Sequence, residues 1–279
     1  MARRARLDAE LVRRGLARSR EQANALIGEG RVMVAGAVAT KPATAVSADT
    51  PVFVRPGRGN DIDYVSRGAH KLLGALQEFS VAEPGLSVAG KHCLDAGAST
   101  GGFTDVLLRA GARRVVAVDV GYGQLAWSLR TDPRVRILER TNVRHLEPDR
   151  IDGPAELTVA DLSFIGLRTV LPNLIRCTRP DGDLVVLVKP QFEVGRERLG
   201  AGGVVRDPAL RAEAIGDVAV AAQELGARVR GVVASRLPGP RGNVEFLLWL
   251  TGADGACPEP QDATALEATI ARAMAEGPA

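Results

Sequence analysis

Lys91-His92-Cys93-Leu94-Asp95-Ala96-Gly97-Ala98-Ser99-Thr100-Gly101-Gly102-Phe103 is the stretch on which the fold turns. Cys93 to Asp95 read as the end of a short buried strand. Gly97, Gly101 and Gly102 make a tight loop where backbone can approach a ligand without interference from a Cβ. Thr104 to Arg109 read as the first turns of a helix that stops near Gly111. Strand, glycine loop and helix N-terminus together form the geometry that holds a nucleotide-like ligand at the carboxyl end of a parallel sheet. A second strand, Arg114 to Val118, ends in Asp119, 24 residues after Asp95. An acid at that place can hydrogen-bond ribose hydroxyls.

The dehydrogenase fingerprint needs Gly-x-Gly-x-x-Gly. Here Ser99 stands where the second glycine would admit a pyrophosphate, which argues against a dinucleotide. The Asp-x-Gly-x-x-x-Gly-Gly form with a later acid resembles the S-adenosylmethionine loop of class I methyltransferases. An ordinary buried strand and turn would leave the strand-to-acid spacing without a reason.

A chain of 279 residues holds about two domains of typical size. Its 46% apolar and 25% charged residues are ordinary for a globular protein. Cys93, Cys177 and Cys257 are too few and too scattered for a disulfide framework or a zinc site. Cys93 and Cys177 sit among apolar neighbours and are expected to be packed. No apolar run approaches the roughly 18 residues of a membrane helix, and the N-terminus is charged rather than signal-like. These features lead us to expect a cytoplasmic protein with no membrane segment and no metal, working as a monomer.

The net charge of +3 hides an asymmetry. Residues 1–60 hold eleven Lys/Arg against five Asp/Glu, a balance of +6, so the remaining 219 residues carry −3. A basic module on a mildly acidic one suggests that the module meets a polyanion. Arg6 to Arg14 can form a short helix ended by Gly15. Ser19 is positioned to cap a second helix, Arg20 to Ile27, with Gln22 at the capping-box position. Arg31 to Val34 then alternates like a strand, Ala35-Gly36 turns, and Pro51 to Val54 closes the unit. This order, with Ser-Arg-x-x-Ala-x-x-Leu-Ile-x-x-Gly-x-Val through the second helix, resembles the S4 RNA-binding domain. The resemblance implies that Arg18, Arg20 and Arg31 face structured RNA, and Arg4, Arg6, Lys41 and Arg67 join them as candidate RNA contacts. Clustered arginines pair bidentately with phosphates. Aromatics are nearly absent from this module, so shape and backbone recognition are expected rather than single-strand reading.

Pro56 to Asn60 has linker composition. The expected organisation is an S4-like domain over 1–59, a linker over 60–65, a catalytic domain over 66–251 and an appendage, helical or disordered, over 252–279. Tyr64 to Lys71 opens a helix that runs through Phe79. Gly121 to Trp127 turns into a short helix, with Trp127 expected in the core. Val135 to Leu138, Leu157 to Ala160, Leu184 to Val188, Val229 to Ala234 and Glu245 to Leu250 complete the strands. Arg168 to Ile175 is helical, and Arg179 to Gly182 reads as a turn. Val194 to Val205, rich in glycine and charge, reads as a mobile surface loop. Asp207 and Pro208 start a helix to Leu225, with Leu210, Ala214, Val218, Ala221 and Leu225 on one face. Strands alternating with helices imply an α/β fold with a mostly parallel sheet covered on both faces.

A lysine directly after five apolar strand residues is unusual. Lys189 would sit at the carboxyl end of a central strand, where such sheets bind ligands. Asp161 ends the strand before it, Glu245 begins the last strand, and Lys71 lies on the helix ahead of the glycine loop. Two lysines and two acids can therefore converge. A ribose hydroxyl needs a base to attack a sulfonium methyl, and a lysine serves only in its neutral form, which burial or a second cation favours. Lys189 is the expected general base, with Asp161, Lys71 and Glu245 positioning and tuning it.

Six motifs now stand together: Ser66-Arg67-Gly68-Ala69-His70-Lys71-Leu72, the glycine loop Asp95 to Phe103, Asp119-Val120-Gly121-Tyr122-Gly123-Gln124-Leu125, Asp161-Leu162-Ser163-Phe164-Ile165, Lys189-Pro190-Gln191-Phe192-Glu193 and Gly239 to Glu245. With the S4-like start, they resemble the TlyA family over residues 3 to 251. The resemblance implies a class I, Rossmann-like, FtsJ-like catalytic domain with a seven-stranded sheet. It implies S-adenosyl-L-methionine as cofactor and 2′-O-methylation of cytidine ribose in 16S and 23S rRNA of ribosomal subunits. It also implies a Lys-Asp-Lys-Glu tetrad, which falls on Lys71, Asp161, Lys189 and Glu245. Cofactor contacts are then expected from Asp95, Gly97, Ala98, Ser99, Gly101, Gly102, Phe103, Asp119, Val120, Asn142 and Asp161. The family's old haemolysin label finds no support in this sequence. An RNA-binding protein with an inactive methyltransferase fold is the alternative, and the intact tetrad speaks against it. The Asp-Pro-Pro-Tyr type of motif for base amines is absent, since Asp161 is followed by Leu-Ser-Phe.

Overall fold

The computed structural model describes residues 4–17, 19–47, 49–55, 64–82, 85–251 and 263–277. Its contacts divide the chain into two compact units, Met1–Asp63 and Tyr64–Ala279. In the first, β1 (Ala5–Arg6) leads into α1 (Leu7–Arg13), followed by α2 (Arg20–Gly28), β2 (Val32–Val34), β3 (Ala37–Val38), β4 (Ala45–Val46) and β5 (Val52–Val54). Ser19 caps α2 by accepting from the Gln22 amide. Leu7, Leu11, Ala23, Ile27 and Val32 close a small core between the two helices and the β3-β2-β5 sheet.

The second unit opens with α3 (Ala69–Ser80), then β6 (His92–Ala96), α4 (Gly102–Arg109), β7 (Arg114–Val118), α5 (Trp127–Arg130) and β8 (Val135–Leu138). There follow β9 (Ala155–Ala160), α6 (Leu167–Arg176), β10 (Thr178–Val188), α7 (Pro190–Glu193), α8 (Pro208–Glu224), β11 (Arg228–Ala234), β12 (Phe246–Thr251) and α9 (Ala263–Glu276). The strands form one sheet in the order β11-β12-β10-β9-β6-β7-β8. Neighbours are parallel except β12, which is antiparallel to both β10 and β11. Successive residues face opposite sides of a strand. Leu94, Val116, Ala160, Val186 and Leu248 accordingly pack under α6, α8 and α9. Cys93, Val115, Val159, Val185 and Leu247 pack under α3, α4 and α5. A sheet buried on both faces demands the near-continuous apolar strands that the sequence shows.

Several local expectations need correcting. Trp127 is 76% exposed rather than core. Leu125, just before α5, and Leu129, within it, are buried, and Trp127 between them points outward. The expected turn at Arg179 to Gly182 is a register shift inside β10. Leu225 is exposed because the buried stripe of α8 runs through Ala214, Ile215, Val218, Ala219 and Ala222. The segment Val194 to Val205 is anchored: Val194 and Val205 are buried with Ala214, and the Asn243 side chain bonds both the Gly203 carbonyl and the Val205 amide. In the appendage, α9 buries Leu266, Ile270 and Ala273 in the main core. Cys93 and Cys177 are buried, and burial pushes their thiols up to about 12 and about 11, which leaves them unreactive. Cys257, the Pro56 to Asn60 stretch and residues 61–63 of the expected 60–65 linker lie outside the described residues.

Candidate active site

Parallel strands deliver their carboxyl ends to one edge. Ala96 pairs with Val118 and with Ala160, and Ala160 pairs with Val186, so Gly97, Asp119, Asp161 and Lys189 all follow at that edge. In the antiparallel pair, Val188 lies opposite Phe246, which brings Glu245 to the same edge beside Lys189.

There the four charged side chains meet. Lys189 Nζ lies 2.5 Å from Asp161 Oδ1. Asp161 Oδ2 lies 3.9 Å from Lys71 Nζ, which donates to Glu245 Oε2 at 2.6 Å. Lys71, Lys189 and Glu245 are buried, while Asp161 is partly open. Four alternating charges so arranged neutralise one another, which is how buried ions are tolerated. Lys189 Nζ also donates to Ser163 Oγ at 2.9 Å. Beside this pair Phe164 is 91% exposed, with φ 65°, and its ring sits 5.6 Å from that of Phe192. Glu193 ties the two loops together by accepting from the Leu167 amide at the start of α6. Gly239 is indispensable to the Glu245 position, because a Cβ there would lie 2.1 Å from Glu245 Oε1.

The glycine loop borders a small cleft lined by Ala98, Ser99, Asp119, Gln124, Leu125 and Ile137 among others. Asp119 accepts from the Ser99 and Gly121 amides at 2.8 and 2.7 Å. Each carboxylate oxygen has further lone pairs for a ligand hydroxyl. Val120 is exposed near this rim, and Asn142 caps a short turn by accepting from the Arg144 amide. Two expected cofactor residues lie beneath the loop instead. Asp95 is fully buried, accepts from the Thr104 hydroxyl at 2.6 Å, and is pushed up to about 7 by burial. The Phe103 ring packs in the core.

The loop glycines serve the protein's own packing as well as any ligand. Gly97, at φ 88°, has the Asp161 carbonyl 2.5 Å from where a Cβ would stand. At Gly102 the obstacle is Ser66 Oγ, at 2.4 Å, because the start of α3 presses on α4. The Val65 amide donates to Asp105 in the same contact, and Arg109 lies over the Tyr64 ring. These contacts place the helix that carries Lys71.

In the first unit, Asp8, 1% exposed, binds both Arg6 and Arg20 at 3.0 and 2.8 Å, and the two guanidiniums remain more than half exposed. The Arg6 bond holds the Asp8 carboxyl far below the usual range. Arg4 and Lys41 are exposed. Arg31 differs from the expectation: its side chain is 17% exposed and bonds Glu29 and the Arg55 carbonyl, so it braces the module. Arg14 is likewise committed, to Glu10 and to the Ser47 and Thr50 carbonyls. Arg18 lies outside the described residues, and Arg67 is exposed at the start of the second unit.

Residues 64–251 match the family model of FtsJ-like methyltransferases, and residues 5–52 match the S4 domain. The chain is 61% identical over 279 residues, all of both chains, to the 16S/23S rRNA (cytidine-2'-O)-methyltransferase TlyA of Mycobacterium tuberculosis. The chain belongs to the TlyA family. A solved structure named as a haemolysin, from Streptococcus thermophilus, is similar over 99% of this chain and 98% of its own, with 38% identity and a TM-score of 0.74. Membership of the TlyA family makes this protein an enzyme, a methyltransferase with an S4 domain. Among the described residues no helix is long and apolar enough to cross a membrane. Sequence reasoning missed Ser163 and Phe164 as site residues, although both stand in the Asp161-Leu-Ser-Phe motif. It also missed Asn243, whose role depends on a distant loop.

Proposed function

We propose that this protein transfers a methyl group from S-adenosyl-L-methionine to the 2′-hydroxyl of a cytidine ribose in 16S and 23S rRNA, with Lys189 as general base. The observation that carries the reading is the Lys189–Asp161–Lys71–Glu245 chain at the sheet edge that also bears the glycine loop. The cofactor fits the residues present: Asp119 offers lone pairs to ribose hydroxyls, and Ala98, Leu125 and Ile137 give apolar walls. Bound there, it supplies an electrophilic methyl on a sulfonium.

The chain's own work is to hold a hydroxyl and take its proton. Asp161 and Ser163 occupy two positions around Lys189 Nζ and leave one direction for the reacting group. In its neutral form Lys189 would accept the 2′-hydroxyl proton at Nζ, and the oxygen would take the methyl that the bound cofactor supplies as its bond to sulfur breaks and a neutral thioether leaves. Base catalysis of this kind contributes roughly 100- to 10,000-fold. Asp161 then stabilises the resulting ammonium, and Glu245 keeps Lys71 from drawing Asp161 away. Phe164 offers an exposed π face on which the base of the target nucleotide can stack once it leaves its helix. Arg6 and Arg20, oriented together by Asp8, meet rRNA phosphates from the S4 domain.

The relatives' names support the rRNA target. In the Bacillus subtilis protein named as an rRNA methyltransferase, 46% identity extends over 88% of this chain and 85% of that one. The test is incubation of purified ribosomal subunits with labelled cofactor, followed by mapping of the modified nucleotide. Lys189→Ala is expected to abolish transfer and leave cofactor affinity near wild type. Transfer by that variant at the wild-type rate would remove the base assignment. Lack of cofactor binding by the wild type would favour an inactive fold.

A further inference from the structure

Many arginines of the catalytic unit are paired with acids. Arg113 meets Glu156, Arg114 and Arg136 meet Asp152, Arg176 meets Glu147, and Arg198 meets Glu213. Arg206 and Arg241 are exposed and, among the described residues, make no ion pair with a carboxylate. The neighbouring acids are engaged elsewhere: Glu197 folds back on Gly195, Asp207 caps α8 and Glu245 holds Lys71.

Both guanidiniums flank one turn, Ala201–Gly203. Arg241 Nη1 donates to the Gly202 carbonyl at 3.1 Å. Arg206 Nη1 lies 3.6 Å from where a Cβ on Gly200 would stand. Arg241 holds this position from a left-handed backbone, φ 66°, which residues with a side chain seldom adopt. Gly200, Gly202 and Gly203 make this turn glycine-rich. Asn243 bonds this turn to the segment that leads two residues later into Glu245, and the same loop begins five residues after Lys189. The arginine pair is thus tied to both the Lys189 and the Glu245 ends of the tetrad.

We propose that Arg206 and Arg241 form a phosphate clamp for the RNA backbone beside the nucleotide whose ribose is methylated. The inference rests on the rRNA reading above. A guanidinium carries five N–H donors in a planar fork, and Arg241 spends one on Gly202, which leaves the fork edge for a phosphate.

The experiment measures binding of the full-length protein to purified ribosomal subunits between 50 and 200 mM salt. Each phosphate contact contributes about 0.7–0.9 to the slope of log affinity against log salt. The double variant Arg206→Gln/Arg241→Gln is expected to flatten the slope by about 1.4–1.8, so its deficit shrinks about 7- to 12-fold across that range. Arg228→Gln, at the opposite edge of the sheet, keeps the wild-type slope. An unchanged slope in the double variant, with an unchanged melting temperature, overturns the clamp. Lys189→Ala, run alongside, separates the two ideas. An inactive Lys189→Ala with an unchanged double-variant slope removes the clamp alone. An active Lys189→Ala removes the base assignment and leaves the slope to judge the clamp.

Discussion

Gly239→Ala tests how tightly the tetrad is built. Gly239 has φ −67° and ψ 174°, a conformation that alanine adopts freely, so the backbone raises no objection. The obstacle is Glu245: the new methyl would stand 2.1 Å from Oε1 and 2.6 Å from Cδ. A surface glutamate would swing aside at little cost. Glu245 is 0% exposed and its other oxygen holds Lys71 at 2.6 Å. Overpacking of this kind costs about 1–3 kcal/mol. If the carboxylate leaves Lys71, the loss moves toward the roughly 3–5 kcal/mol of a broken buried pair. Urea unfolding gives the cost in the wild type and again in the Glu245→Ala background, where the clash is gone. We expect a coupling of about 1–3 kcal/mol between the two positions. Methyl transfer should fall with the single glycine change, because Lys71 loses its anchor. Equal costs of Gly239→Ala in both backgrounds would refute the reasoning.

Two further outcomes follow from the charge arrangement. Asp95 is raised to about 7 by burial, against an ordinary value of 3.8. Its contribution to stability is therefore full below about pH 4 and lost as pH rises through 7, so Asp95→Asn should gain on the wild type across that window by up to about 1.4 kcal/mol per pH unit. Parallel pH–stability curves would show that the carboxyl is ionised in the folded protein. Arg20→Gln should weaken subunit binding and flatten its salt slope by about one, without changing cofactor affinity.

The S4 expectation rested on a real local signal: Ser19, Gln22 and the Ala23-Leu26-Ile27 stripe cap and bury α2 as read. Counting basic residues overstated the RNA face, because Arg14 and Arg31 are spent on carbonyls and acids elsewhere in the module. Trp127 was misread for a related reason. Its hydrophobicity argued for the core, but Leu125 and Leu129 already fill the inward positions beside Gly101.

What the sequence by itself determined is where the charged groups would end up. Apolar runs fix parallel strands, and parallel strands deliver the residues after them, Asp119, Asp161 and Lys189, to one edge. Only the tertiary structure decided how those groups pair. That Asp161 bridges two lysines, that Ser163 holds the Lys189 amine, that Glu245 needs a glycine at 239 and that Asn243 anchors a glycine-rich loop are contacts between segments up to 174 residues apart. Periodicity reports a residue's relation to its own strand or helix. It carries no information about which distant side chain will stand within 3 Å.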